Sequence, residues 1–286
     1  MPVLNIRQLR TRIRSTKKTA QITKTMQMVS ASRLKKSHEV LRQATPYAQK
    51  MDQLLGHLLQ TGAALSHPFL AAREVKTIAL VVVTSDRGLC GAYNSNVIAQ
   101  VEAFIATPRT AAVELVCIGK KGNDYFKGKP WPIRHRYLDI AGKPDFEKIS
   151  KITRQITDDY LAGAVDEVDV VSSIYISAMS IRPERVKFLN LQRETAAGPI
   201  VPTLLEPNLT TILDRFLPEY IASKMYMALV SAFTAENSAR MIAMKTATDN
   251  AKDMIGRLTL QSNKVRQATI TKELLEIVTA GEALKA

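Results

Sequence analysis

Residues 77–97 read "TIALVVVTSDRGLCGAYNSNV". A β-branched run ends in a polar corner with two glycines, Gly88 and Gly91, and leads into an amphipathic stretch. Strand, glycine turn, helix is the way many proteins hold a nucleotide. A phosphate-binding loop needs spaced glycines followed by Lys-Ser/Thr, because the lysine meets the phosphates and the hydroxyl holds magnesium. Here Ala92, Tyr93 and Asn94 follow the second glycine, and the G-x-G opening of a dinucleotide site is missing as well. The corner reads as a tight structural turn, in which glycine permits close packing.

The same texture continues on either side of this corner. "VELVCIGKK" and "DEVDVVSSIYIS" are short β-branched runs, "RVKFLNLQR" alternates apolar and polar residues, and "WPIRHRY" adds a weaker strand. Amphipathic helices are expected over residues 94–105 and 146–161. Strands alternating with helices imply βαβ units and a largely parallel sheet, here over residues 76–194. "RETAAGPIVPTLLEPN" is proline-rich and reads as a loop.

The two ends of the chain differ from this middle. Residues 4–45 contain neither glycine nor proline, and residues 219–280 contain a single glycine, Gly256, and no proline. Breakers are the strongest local stop signals, so both stretches read as long helices, within segments 1–60 and 208–286, with Pro46 as a candidate kink. The economical arrangement pairs them antiparallel. Ile6, Leu9 and Ile13 follow a 3–4 spacing, as do Ala251, Ile255, Leu258 and Val265. The seams do not read as clean heptads. Met241, Met244, Met254 and Ile270 spread round other faces, and leftover apolar surface of this kind asks for partners. The surface of the second helix is also polar yet mostly uncharged, from Thr246 to Thr271, which suggests that something other than water faces it.

Composition narrows the class. The 286 residues carry a net charge of +14 and are 46% hydrophobic. Most of the excess lies in residues 1–60, where twelve Lys/Arg face two acids, Glu39 and Asp52. That segment holds one aromatic, Tyr47, too few for base stacking, so nucleic acid is a poor partner for it. It has the Arg-rich look of a transit peptide, yet its unbroken helical pattern is that of mature protein. No apolar run reaches the ~20 residues that span a bilayer. Cys90 and Cys117 do not suggest a disulfide framework and read as small buried residues. Four scattered histidines give no metal spacing, and no nucleophile elbow occurs.

Three stretches then carry a resemblance. They are "LRTRIRSTKKTAQITKTMQMVSASRLKK" (residues 9–36), "SDRGLCGAYNSNV" (residues 85–97) and "ARMIAMKTATDNAKDMIGRLTLQSNKVRQATITKELLEIV" (residues 239–278). In this order, and over essentially the whole chain, they resemble the gamma subunit of F-type ATP synthases, bacterial in type. The resemblance implies an α/β chain: a long antiparallel coiled coil of N- and C-terminal helices plus a Rossmann-like α/β domain. It implies a rotating, non-catalytic central shaft without a cofactor or a bound nucleotide. Its partners would be the alpha and beta subunits around the coiled coil, and epsilon and the membrane c-ring at the α/β domain. The location implied is the cytoplasmic face of the bacterial cell membrane. Carried over by motif, Arg266 and Gln267 match positions that meet a beta-subunit loop, with Thr271 beside them. Arg240 and Glu276 match positions tied to coupling, and Met26 lies on the facing part of the N-terminal helix. The cysteine-bearing regulatory segment of chloroplast-type chains has no counterpart, so thiol control is not expected.

Overall fold

The structure is a computed structural model that describes residues 6–60, 67–71, 73–140, 144–191, 206 and 208–283. The proline-rich stretch after Leu191 lies almost entirely outside the described residues. In chain order the elements are α1 (Ile6–Gln60), β1 (Thr77–Val83), α2 (Tyr93–Ala106), β2 (Ala112–Ile118) and α3 (Lys120–Phe126). They are followed by β3 (Ile133–Tyr137), α4 (Phe146–Leu161), β4 (Glu167–Ser177), β5 (Ser180–Leu189) and α5 (Leu209–Ala283). The chain divides into two compact units, one of Ser30–Arg240 and one of residues 1–29 with 241–286.

The larger unit is built on a five-stranded sheet of order β3-β2-β1-β4-β5. The pairs β1–β2, β1–β4 and β2–β3 are parallel, while β4 and β5 form an antiparallel hairpin. The unbroken apolar run of β1 follows from burial on both faces. Ala79, Val81 and Val83 meet α4 and α5, and Leu80 and Val82 meet α2 and α3. The first face collects Ile149, Ile152, Ile156 and Tyr160 from α4, Met51, Leu55 and Leu58 from α1, and Leu213 through Phe233 from α5. The second collects Val97 and Val101 from α2 and Phe126 from α3. Each such side chain contributes roughly 1.5–3 kcal/mol on burial.

Two details depart from the sequence reading. Helix α3 was not expected. Gly122 sits in its middle, and tertiary bonds stabilise it: Lys120 N–H donates to Asp86 Oδ1 at 2.9 Å and Gly122 N–H to Thr84 Oγ1 at 2.8 Å. The C-terminal helix starts ahead of Pro218 rather than after it: α5 runs through that proline for 75 residues, and α1 runs through Pro46 for 55. Both cysteines are free and buried, and burial pushes the Cys117 thiol up to about 11.

In the smaller unit α1 and α5 pair antiparallel. Thr23 meets Thr248 and Thr16 meets Met254, so one helix ascends as the other descends. Burial follows a strict heptad that hydropathy hides. On α1 the covered positions are Ile6, Leu9, Ile13, Thr16, Ala20 and Thr23, and every residue between them is exposed. On α5 they are Thr248, Ala251, Ile255, Leu258, Ser262, Val265 and Thr269. Alternating steps of three and four keep the seam facing its partner through a left-handed supercoil.

Candidate functional site

In the larger unit the glycine corner is spent on its own chain. Ser85 N–H donates to Asn94 Oδ1 at 3.0 Å, Asn94 Nδ2 donates to Ser85 Oγ at 2.8 Å, and Ser85 Oγ donates to the Arg87 carbonyl at 2.6 Å. Leu89, at φ 62°, and Gly91, at φ 59°, turn the chain through left-handed conformations. The carbonyls of Arg87 and Gly88 then face α5, where Arg240 donates to them from Nη2 at 3.0 Å and Nε at 3.2 Å. A phosphate cradle presents N–H donors. This corner presents acceptors to a cation, the reverse polarity.

Arg240 is thus committed inside the chain. It is 7% exposed, and its Nη1 lies 2.8 Å from Glu236 Oε1. Burial raises the Glu236 carboxyl above its usual range, and the Arg240 charge opposes that rise. The spacing of Glu236 and Arg240 is that of an ordinary surface pair, so nothing in the sequence marked it as interior.

The other residues singled out from the sequence do not form one cluster. Met26 is half-buried on α1, between exposed Ile22 and Met28. Arg266, Gln267, Thr271 and Glu276 are all exposed on α5, with Glu276 Oε1 3.5 Å from Lys272 Nζ. From Ile270 to Ala280 every residue of α5 is exposed. Ile270, Leu274, Leu275, Ile277 and Val278 are between 48% and 68% exposed, an apolar patch that singly scattered surface residues would not make. The threonines nearby spend their hydroxyl protons on their own helix, Thr271 on the Gln267 carbonyl and Thr279 on that of Leu275. What remains outward is mostly methyl groups. On α1, by contrast, residues 6–29 carry seven Arg/Lys and no acid, all exposed. Among the described residues no helix is long and apolar enough to cross a membrane, and no metal-ligating cluster occurs.

A family model described as "ATP synthase" matches residues 5–284. The ATP synthase gamma chain of Desulforamulus reducens is 39% identical over 281 residues, covering 98% of this chain and 99% of that one. The gamma chain of Anaeromyxobacter dehalogenans is 40% identical over 287 residues, with the same coverage. The chain belongs to the ATP synthase gamma-chain family. Its role is that of the gamma family's central stalk. Among solved structures, the central stalk of the Tetrahymena thermophila mitochondrial ATP synthase superposes with a TM-score of 0.61 at 25% identity, covering 79% of this chain and 99% of that one. A chain of the Euglena gracilis mitochondrial ATP synthase gives 0.66 at 21% identity over 98% of this chain and 94% of that one, a likeness of fold. The gamma-family match spans both units, so the rod and the sheet belong to one inherited design.

Proposed function

We infer that this chain is the non-catalytic rotor shaft of an F-type ATP synthase, enclosed by alternating alpha and beta subunits and joined to epsilon and the c-ring. One observation carries the reading: from Ile270 to Ala280, α5 is exposed on every face, yet five of its side chains there are large and aliphatic. Covering each is worth on the order of 1 kcal/mol, which favours a surrounding apolar sleeve. Arg266 and Gln267 sit at the entry to this uncovered stretch and supply polar contacts to a beta-subunit loop, and Thr271 and Glu276 lie within it as further contacts to the hexamer. Met26, with Ile22 and Met28, supplies a contact on α1. The seven basic residues of that helix suit acidic loops of the sleeve, where charge complementarity fixes orientation without tight burial. Arg240 supports the interface from within, through the Gly88 turn.

Such a chain performs no bond chemistry. An off-axis rod offers a different face to each beta subunit, so their nucleotide affinities differ and exchange as it turns. Ion flow through the membrane sector drives the rotation in synthesis, and hydrolysis reverses it. Moving a subunit between two states from 1:99 to 99:1 takes roughly 5.5 kcal/mol of differential contact, which a few apolar and charged contacts supply. On this reading the chain works as a peripheral protein on the cytoplasmic face of a bacterial membrane; among its described residues no helix is long and apolar enough to cross a membrane.

The test is co-expression with alpha and beta subunits. The full chain co-purifies and supports coupled ATP synthesis in membrane vesicles, whereas a chain ending at Ile255 assembles weakly and couples poorly. A full chain that never associates with alpha and beta defeats the reading.

A further inference from the structure

Over residues 232–238 every position of α5 is buried. Seven consecutive residues cover about two helical turns, so the α/β unit encloses the helix on all sides there. The enclosure is tied by directed bonds. Tyr93 Oη donates to the Ala232 carbonyl at 3.2 Å, and Tyr175 N–H donates to Ser231 Oγ at 3.1 Å. Ser238 Oγ donates to the Ala178 carbonyl in the β4–β5 turn, and Arg240 holds the Arg87 and Gly88 carbonyls. At about 100° per residue, Ser231 and Arg240 stand on opposite sides of the helix.

Apolar packing is non-directional and by itself grips a cylinder weakly against turning. Hydrogen bonds fall off steeply with angle and fix the helix's azimuth. We propose that this ring of bonds is the joint that stops α5 from rotating about its own axis within the α/β unit, with the hydroxyls of Tyr93, Ser231 and Ser238 as positioning groups for coupling. The proposal rests on the stalk reading above. It makes the α/β unit a mechanical clamp, since rotation delivered to that unit reaches the helix only as far as the joint resists slip. The buried Glu236 holds Arg240 in the joint and is not itself a contact to another chain.

The test uses the complete enzyme carrying Y93F/S231A/S238A, which removes three hydroxyls and adds no bulk. In inverted membrane vesicles the ions pumped per ATP hydrolysed fall at least about threefold, while hydrolysis by the soluble complex with alpha and beta stays within about twofold. S231T/S238T keeps the hydroxyls and keeps the pumping ratio. Amide exchange of the free chain gives a second reading that does not need assembly. In the triple variant the amides of residues 231–240 open at least about tenfold faster, while those of β2 are unchanged. A triple variant with wild-type pumping per ATP, or with unchanged protection at residues 231–240, overturns the proposal. Failure of the stalk reading looks different, because the wild-type chain itself would then neither assemble nor couple.

Discussion

The side-chain oxygens of Thr23 and Thr248 lie 2.8 Å apart across the seam of α1 and α5, where Thr248 is only 2% exposed. Each also lies near a carbonyl of its own helix, that of Ala20 at 3.1 Å or of Met244 at 2.7 Å. Whichever hydroxyl donates across the seam, the other proton has a partner at home. T248V keeps the shape and removes the bond across the seam, while the Thr23 hydroxyl still has the Ala20 carbonyl, so opening of the pair near this point becomes easier by about 1 kcal/mol. Replacing both threonines with valine adds little further loss, because the cross-seam bond is already gone. A double-mutant cycle on amide exchange of residues 244–251 measures both effects.

Asp169 in β4 is fully buried, 2.7 Å from Arg185 Nη1, and its second oxygen has no hydrogen-bond partner among the described residues. Burial raises its carboxyl above the 3.8 of an ordinary aspartate, although the Arg185 bond pulls the other way. The folded protein therefore binds this proton more tightly than the unfolded chain does. The favourable contribution is complete below the unfolded pKa and is lost as pH rises through the folded one. D169N removes that loss. Its stability relative to the wild type improves between about pH 4 and pH 7, as measured by denaturant unfolding at the two pH values.

Two glycines respond oppositely to alanine. Gly119 has φ 100°, and an added Cβ would stand 2.1 Å from the Thr84 carbonyl oxygen, so G119A costs about 3 kcal/mol or more. Gly256 is an exposed position within α5 with nothing within 4 Å of an added Cβ. G256A stabilises the helix by about 1 kcal/mol. Thermal unfolding separates the two signs.

Arg266 and Gln267 both have exposed side chains on α5. R266A/Q267A therefore leaves the unfolding free energy of the isolated chain within about 0.5 kcal/mol of wild type. In the assembled enzyme the same change lowers coupled ATP synthesis by about tenfold or more, through loss of a charge-assisted contact. Equal synthesis rates would remove these two residues from the beta-facing surface.

The long helices were legible because breakers are absent from residues 4–45 and 219–280, and the βαβ order was legible because buried parallel strands are continuous apolar runs. Helix α4 was placed at its observed bounds from its amphipathic pattern alone. The heptad was legible only in part, at Ile6, Leu9 and Ile13 and at Ala251, Ile255, Leu258 and Val265. Its other positions on α1 hold Thr16, Ala20 and Thr23, residues that pack well between close helices but carry little hydropathy. Pro218 hid the first turns of α5, where packing of Leu213 and Leu217 outweighs one missing bond. For the candidate site, the sequence marked Arg240 but not its inward direction, because burial of an i, i+4 ion pair depends on elements more than 140 residues away in the chain. The joint at Tyr93, Ser231 and Ser238 left no local signal, since hydroxyl residues on helices usually bond their own backbone.

The bare aliphatic end of α5 sets a condition on biosynthesis. A copy made in surplus over its partners exposes Leu274, Leu275, Ile277 and Val278 with nothing to occupy them. On the rotor-shaft reading, such a surplus is prone to self-association, and a balanced supply of the enclosing subunits keeps the chain dispersed.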